Sequence, residues 1–465
     1  MANPKVHLPL PKLDNCAICQ STQTLRLCSA CHERIYCSPT CQKDDWAAHK
    51  ASCGKTDRLD LDTFYPFLAC LVESAHTLTP THPALLQSIL NAPNPGTRAT
   101  RFPDGSAANL VVLGDPLANP NEAGSERWFP NALNPSVRNK FYHRIKREGH
   151  VLPILTGLSL ALLSQIYTTP LAVGRCRPIG CGRARERWAR GGEHGSGKRR
   201  VRLAYRSSPI ADFGIASGSA TVQPQDQLAN LDAAAPADRF FPGQDPDEHY
   251  WLYFTTIRGE TVTLDCAMFT FNFCFMVGAW PYTNAAAQQW VPAFFREREF
   301  ERNTPGMYRE RMRASVLRDT GLCRSVERAA GPDADAENLK LPIQTFMQSL
   351  ARHQIPQSEL DFALQIHNLA QGELTQVLTT RRWERFPKTA PFMIEQDPDE
   401  IADDAQDDDE AWAKYIRRFK KDKKAGATRE QLDEAYKKWQ AKQKQRRVAI
   451  DHVQSFRFGE QENDY

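Results

Sequence analysis

Eight side chains between residues 16 and 53 have the chemistry to bind a soft metal ion: Cys16, Cys19, Cys28, Cys31, Cys37, Cys41, His49 and Cys53. Their spacing is C-x2-C-x8-C-x2-C-x5-C-x3-C-x7-H-x3-C, and it gathers seven of the thirteen cysteines of the chain into under forty residues. Thiolate and imidazole are the donors of tetrahedral zinc, and eight donors are what two four-coordinate ions need. Two Zn2+ ions are therefore expected. A segment this short buries too little apolar surface to hold a fold unaided, so metal binding and folding are expected to be one event.

A disulfide cluster is the competing reading of the same cysteines. The chain opens Met-Ala-Asn-Pro-Lys-Val-His, without the apolar core of a secretion signal, so an oxidising compartment is not expected. The expectation is an intracellular protein of nucleus or cytoplasm, with reduced thiols on zinc. Spacing alone does not say which four ligands share an ion.

The run Tyr36-Cys37-Ser38, Cys41-Gln42, Asp45-Trp46, His49-Lys50 and Cys53 resembles the MYND zinc finger in its signature positions, over about a tenth of the chain. The resemblance implies crossed sites, with Cys16, Cys19, Cys37 and Cys41 on one ion and Cys28, Cys31, His49 and Cys53 on the other. It also implies a role: a protein-interaction module reading short proline-containing peptides, with transcriptional regulation as a setting. The positions matching that family's peptide contacts are Ser29, Gln42 and Trp46. An aromatic ring beside an amide suits an extended proline-rich ligand, which docks at low entropic cost. The plainer reading of Trp46 is that it packs beneath the second metal loop.

The elements that must position this finger belong to a much longer chain. At 465 residues, 41% of them hydrophobic, it has room for two or three further domains. A mean hydropathy of −0.54 and 31 prolines fit a loop-rich chain of small net charge, +4. Cys70, Cys176, Cys181, Cys266, Cys274 and Cys323 lack a second metal spacing and read as buried thiols.

Apolar spacing predicts helices over residues 64–75 and 83–92, a short buried strand over 109–114, and one long helix over about 136–167 capped by Ser136. Residues 151–174 carry no charge. Pro153, Gln165, Tyr167, Thr168, Thr169 and Pro170 interrupt them, so a buried core helix is expected rather than a membrane span. Residues 175–202 are rich in Arg and Gly without apolar periodicity. They read as a disordered insert, either a basic arm able to meet nucleic acid or nuclear-import factors, or a product of a misplaced exon boundary.

Further on, Asp212-Phe213-Gly214 matches the metal loop of protein kinases, but the Gly-rich loop, strand lysine and catalytic loop that phosphoryl transfer requires are missing from the sequence. Residues 249–257 and 261–265 alternate about an Arg-Gly-Glu turn and predict a hairpin, followed by a central strand running to Met276. His249 and Asp265 on that hairpin loosely resemble the His and Asp strands of papain or transglutaminase-like hydrolases, with no matching cysteine before them. Residues 259–264 resemble a strand of SET methyltransferases, whose cofactor motif is missing. Helices are expected over residues 286–300, 308–330, 341–353 and 359–380. An acidic linker over 395–411 then leads to a basic helical pair over 412–448 broken at Gly426. Its Lys420-Lys-Asp-Lys-Lys424 run is either a nuclear-import signal or a solvated helix face.

The expected architecture is α+β. A tail (1–13) precedes a double-zinc crossed-site finger (14–56), then a helical part of the main domain (57–174), the basic insert (175–208) and an α+β part built on the hairpin-containing sheet (209–385). The main domain is expected to be mostly helical. The acidic linker, basic helices and a tail (449–465) close the chain. The expected function is peptide recognition without catalysis and without a membrane. The papain-like hydrolase, the methyltransferase and a nucleic-acid regulator are the alternatives.

Overall fold

The computed structural model describes residues 15–50, 53–167, 200–235, 239–283, 289–297, 307–329, 337–395 and 437–438. Its largest unit is a seven-stranded sheet whose order is Phe294–Glu297, Thr261–Asp265, His249–Thr256, Ser208–Ala220, Arg200–Tyr205 and Thr56–Asp60, with Tyr308–Ser315 pairing the later half of Ser208–Ala220. Neighbours run antiparallel except Thr56–Asp60 and Arg200–Tyr205, which are parallel. Side chains alternate across a strand, and here the alternation separates two environments. Phe213, Ile215, Leu252, Phe254, Val262 and Leu264 face the main core. Ala216, Trp251 and Tyr253 lie on the other face in a separate cluster with Tyr308.

Helices Leu61–Ala75, Val151–Ile166, Thr320–Ala329, Glu337–Leu350 and Gln357–Thr379 supply much of the rest of that core. Apart from Gln165, every residue of Val151–Ile166 is buried. No single helix among the described residues is long and apolar enough to cross a bilayer. The close partner of Val151–Ile166 is Gln357–Thr379, and Gly157 allows the approach: a Cβ there would lie 2.5 Å from the Ala363 carbonyl oxygen.

The single helix expected over residues 136–167 is two helices, Pro135–Lys146 and Val151–Ile166, bent by 69°. The cap is Asn134 rather than Ser136, its Oδ1 accepting from the Val137 N–H at 2.8 Å. After the first helix ends at Lys146, Gly149 and His150 take positive φ in succession, +79° and +56°, which redirects the chain into the second. Around this corner Glu73 accepts two hydrogen bonds from the Arg147 guanidinium, at 2.8 and 3.0 Å.

Pro135–Lys146 belongs to a second, smaller core built on Gln87–Ile89, Ala107–Pro116, Leu228–Asp232 and Arg239–Pro242. Trp128, Phe129, Phe141 and Ile145 fill it, and the Trp128 indole N–H donates to the Ala84 carbonyl at 2.7 Å. A third sheet joins Trp290–Pro292, Phe275–Gly278 and Phe392–Ile394.

Several other expectations are corrected. Residues 83–92 hold a single helical turn, Pro83–Leu85, and then the strand Gln87–Ile89. The described part of 286–300 is two strands, and the first half of 308–330 is the strand Tyr308–Ser315, so the main domain mixes helix and sheet rather than being mostly helical. The central strand expected after the hairpin is a helical turn, Met268–Phe271, and the short strand Phe275–Gly278 of a different sheet. Arg200 and Arg202, assigned to a disordered insert, stand in a strand of the large sheet. The rest of the Arg/Gly run, the acidic stretch after Glu395 and the C-terminal helical pair apart from Lys437 and Lys438 lie outside the described residues.

Candidate metal centre

Each C-x2-C pair of the finger is a tight knuckle built the same way. Gln20 N–H donates to the Cys16 carbonyl at 3.0 Å and His32 N–H to the Cys28 carbonyl at 2.9 Å. Both Gln20 and His32 follow the second cysteine of their pair with positive φ, +60° and +56°. That turn folds each pair back so that its two sulfurs face one point. A two-stranded ribbon, Arg26–Leu27 with Ile35–Tyr36, brackets the second pair and carries the chain to Cys37.

The helix Pro39–His49 then supplies the remaining donors. Its cap is Ser38, whose Oγ accepts from the Cys41 N–H at 3.2 Å, and Pro39 has the φ a first helical turn requires. Cys41, Asp45 and His49 recur every four residues, which sets them on one face, and Asp45 and His49 are buried there.

Two donor groups result. The Sγ atoms of Cys16, Cys19, Cys37 and Cys41 lie within 4.8 Å of one another, and so do the donor atoms of Cys28, Cys31, His49 and Cys53. In the first, Cys19 to Cys37 is 3.3 Å, Cys37 to Cys41 3.6 Å and Cys41 to Cys19 3.8 Å. In the second, Cys28 to Cys53 is 3.7 Å and Cys31 Sγ to His49 Nε2 is 3.4 Å. Four sulfurs at about 2.3 Å from a zinc ion stand about 3.8 Å apart along each edge of the tetrahedron. The donor sets and their spacing fit two zinc ions, and the pairing is the crossed one.

Electrostatics agree with that chemistry. Backbone N–H groups led by that of Cys19 pull the Cys16 thiol down to about 6, while the neighbouring Cys19 sulfur pushes Cys37 up to about 12. Burial pushes Cys31 up to about 12 as well. Cys16 thus gives up its proton readily, while Cys37 and Cys31 retain theirs unless a cation replaces them, and zinc is such a cation.

Of the three peptide-contact positions, Trp46 is 44% exposed, Ser29 is exposed and Gln42 is half-buried. Gln42 and Trp46 are one helical turn apart, on a different side of the helix from Asp45 and His49. The Trp46 ring meets the His49 ring edge-on at 6.2 Å, so one edge packs on the second donor group while much of the ring meets solvent. Sequence reasoning missed Asp45 as a structural hub: it accepts from Arg34 and from the Tyr36 hydroxyl, the latter at 2.7 Å. Its position four residues from both Cys41 and His49 was the available signal.

The other candidate pair is also brought together. His249 Nε2 and Asp265 Oδ2 are 2.5 Å apart, the Tyr308 hydroxyl donates to the same oxygen at 2.7 Å, and the Ala267 N–H donates to Oδ1 at 2.8 Å. His249 is fully buried and Asp265 2% exposed. Cys266 lies in the main core, its thiol pushed well above the usual range by burial, and Cys176 and Cys181 lie outside the described residues.

Residues 16–53 match the family model described as MYND finger. Neither a curated protein nor a solved structure matches the chain.

Proposed function

We propose that this protein uses its double-zinc finger to capture short proline-containing segments of other proteins, and that the chain works by binding rather than by catalysis. MYND fingers are generally protein-interaction modules, and the exposed ring of Trp46 beside Gln42 supports the narrower reading. A large flat ring on a metal-stiffened helix is ordered before the ligand arrives, which lowers the entropic cost of docking a preformed extended peptide. Asp45, Arg34 and Tyr36 fix the helix on the ribbon and so fix where the ring stands.

The test pairs two variants of the full chain. Trp46→Ala removes a contact and keeps both metal sites, so binding to a proline-rich peptide array falls at least tenfold while zinc content stays at two per chain. Cys37→Ala removes a ligand and loses metal as well as binding. A wild-type chain with both zinc ions that captures no member of the array overturns the proposal.

A further inference from the structure

Among the described residues of the finger, Ile18 and Trp46 are the large apolar side chains left open to solvent, at 42% and 44% exposure. The sequence directly ahead of the finger has the composition of a ligand for such a face. It reads Leu8-Pro9-Leu10-Pro11-Lys12-Leu13, lies outside the described residues, and ends three residues before the first zinc ligand, Cys16. Pro9 and Pro11 each fix their own φ near −65° and keep the residue before them out of the helical region, which biases Leu8 and Leu10 toward extended backbone. A segment restricted in this way loses little entropy on docking, and its leucines gain by covering an exposed ring.

Metal geometry brings segment and ring within reach of each other. The Cys16 and Cys41 sulfurs belong to one donor group and lie within 4.8 Å, and Trp46 follows Cys41 by five helical residues, about 7.5 Å of rise. With side chains included, the Trp46 backbone stands less than about 20 Å from that of Cys16. Pro9 precedes Cys16 by seven residues, an extended reach of roughly 23–25 Å. The tether is long enough to lay residues 8–11 across the ring. It is also short enough to hold them there at an effective concentration of about 1 mM, well above what a second chain at micromolar concentration supplies.

We propose, resting on the peptide-reading role of the finger, that residues 8–13 are its intramolecular ligand: they dock on Trp46 and Gln42 of the same chain and compete with proline-containing segments of other proteins. The arithmetic sets the strength of the competition. A tail whose own Kd is about 0.1 mM fills the site roughly nine-tenths of the time at an effective concentration of about 1 mM, so an outside peptide needs about tenfold more to bind. Weak partners are screened out, and strong ones displace the tail.

The test compares the full wild-type chain with one carrying Pro9→Ser, Leu10→Ser and Pro11→Ser, all outside the finger, by calorimetric titration of a synthetic peptide of residues 4–13. Elemental analysis finds two zinc ions in both. The substituted chain binds the peptide at one per chain and at least tenfold tighter than the wild type, and adding Trp46→Ala to it abolishes the binding. A p-benzoylphenylalanine placed at Leu10 cross-links, in the monomer fraction, to the helix Pro39–His49. Equal affinity of the two chains, or cross-links formed only between chains, overturns the proposal and leaves the finger a peptide reader. A substituted chain that ignores the 4–13 peptide yet captures other members of the proline-rich array does the same. A substituted chain that binds no proline-containing peptide removes the peptide-reading role and the proposal together.

Discussion

Arg34 grips Asp45 with two parallel hydrogen bonds, Nε–H to Oδ2 at 2.9 Å and Nη2–H to Oδ1 at 2.8 Å. The pair joins the ribbon to the helix between the two metal sites. Arg34 holds the Asp45 carboxyl below its usual range, against the opposing effect of burial. Arg34 is itself 42% exposed, so solvent screens part of the attraction, and the bidentate geometry rather than the bare charge gives the pair its value.

Asp45→Ala is expected to leave all eight metal donors in place and still release zinc to a competing chelator several-fold faster. It strips the Tyr36 hydroxyl and the Arg34 guanidinium of a shared acceptor. A double-mutant cycle with Arg34→Ala should show a coupling of about 1 kcal/mol or more in chelator resistance. Additive effects would show that the two residues act apart.

Elemental analysis of the purified chain should find two zinc ions, one for each donor group. A strong chelator should remove both and abolish the near-ultraviolet signal of Trp46, because coordination organises the segment that carries it. A stoichiometry of one would contradict the crossed assignment.

Acid should destabilise the body of the protein in a definable window. Burial lowers His76, His143 and His367 from 6.5 to about 4 each. Between those values the unfolded chain takes up protons that the folded chain refuses, so this contribution is complete above about 6.5 and is lost as the pH falls toward 4. Urea midpoints at pH 7.5, 6 and 5 should fall in that order. Zinc release adds to the wild-type slope, so the check is His367→Leu, which should flatten it; an unchanged slope would remove His367 from the account.

Two glycines on facing helices should respond to the same substitution with opposite signs. In Gly157→Ala the new methyl would sit 2.5 Å from the Ala363 carbonyl oxygen and 2.8 Å from the Ile366 Cβ, forcing Val151–Ile166 and Gln357–Thr379 apart, for about 1–3 kcal/mol of lost stability. At Gly372 a Cβ meets nothing within 4 Å, so Gly372→Ala should stabilise by roughly 0.5–1 kcal/mol through helix propensity. Melting curves of the two variants decide it.

The finger was legible because tetrahedral coordination imposes residue types at fixed spacing, and no distant segment is needed to complete it. The hairpin His249–Thr256 with Thr261–Asp265 was legible for a related reason, its turn and its partner being adjacent in sequence. Residues 308–315 were not. Tyr308 and Met312 are four apart, which fits a helix, but hydrogen bonds to Ser208–Ala220 make the segment a strand, and no local pattern announces a partner nearly a hundred residues away. Arg200–Tyr205 was misread for the same reason, since its basic residues suggested solvent while its parallel partner lies at Thr56–Asp60.

The last zinc ligand, Cys53, is separated by only Gly54 and Lys55 from the strand Thr56–Asp60, an edge of the large sheet. From that strand Arg58 reaches back, donating to the Cys31 carbonyl at 3.2 Å and pairing with Glu33. Finger and body are thus geared together rather than strung on a tether, so the Trp46 ring stands at one fixed angle to everything behind it. The same gearing makes zinc a guardian of the sheet margin. A chain stripped of metal loosens its hold on Thr56–Asp60, and Arg200–Tyr205 is left with unpaired backbone groups of the kind that recruit strands from other molecules. Metal starvation would therefore be expected to promote self-association along with the loss of the finger's own fold.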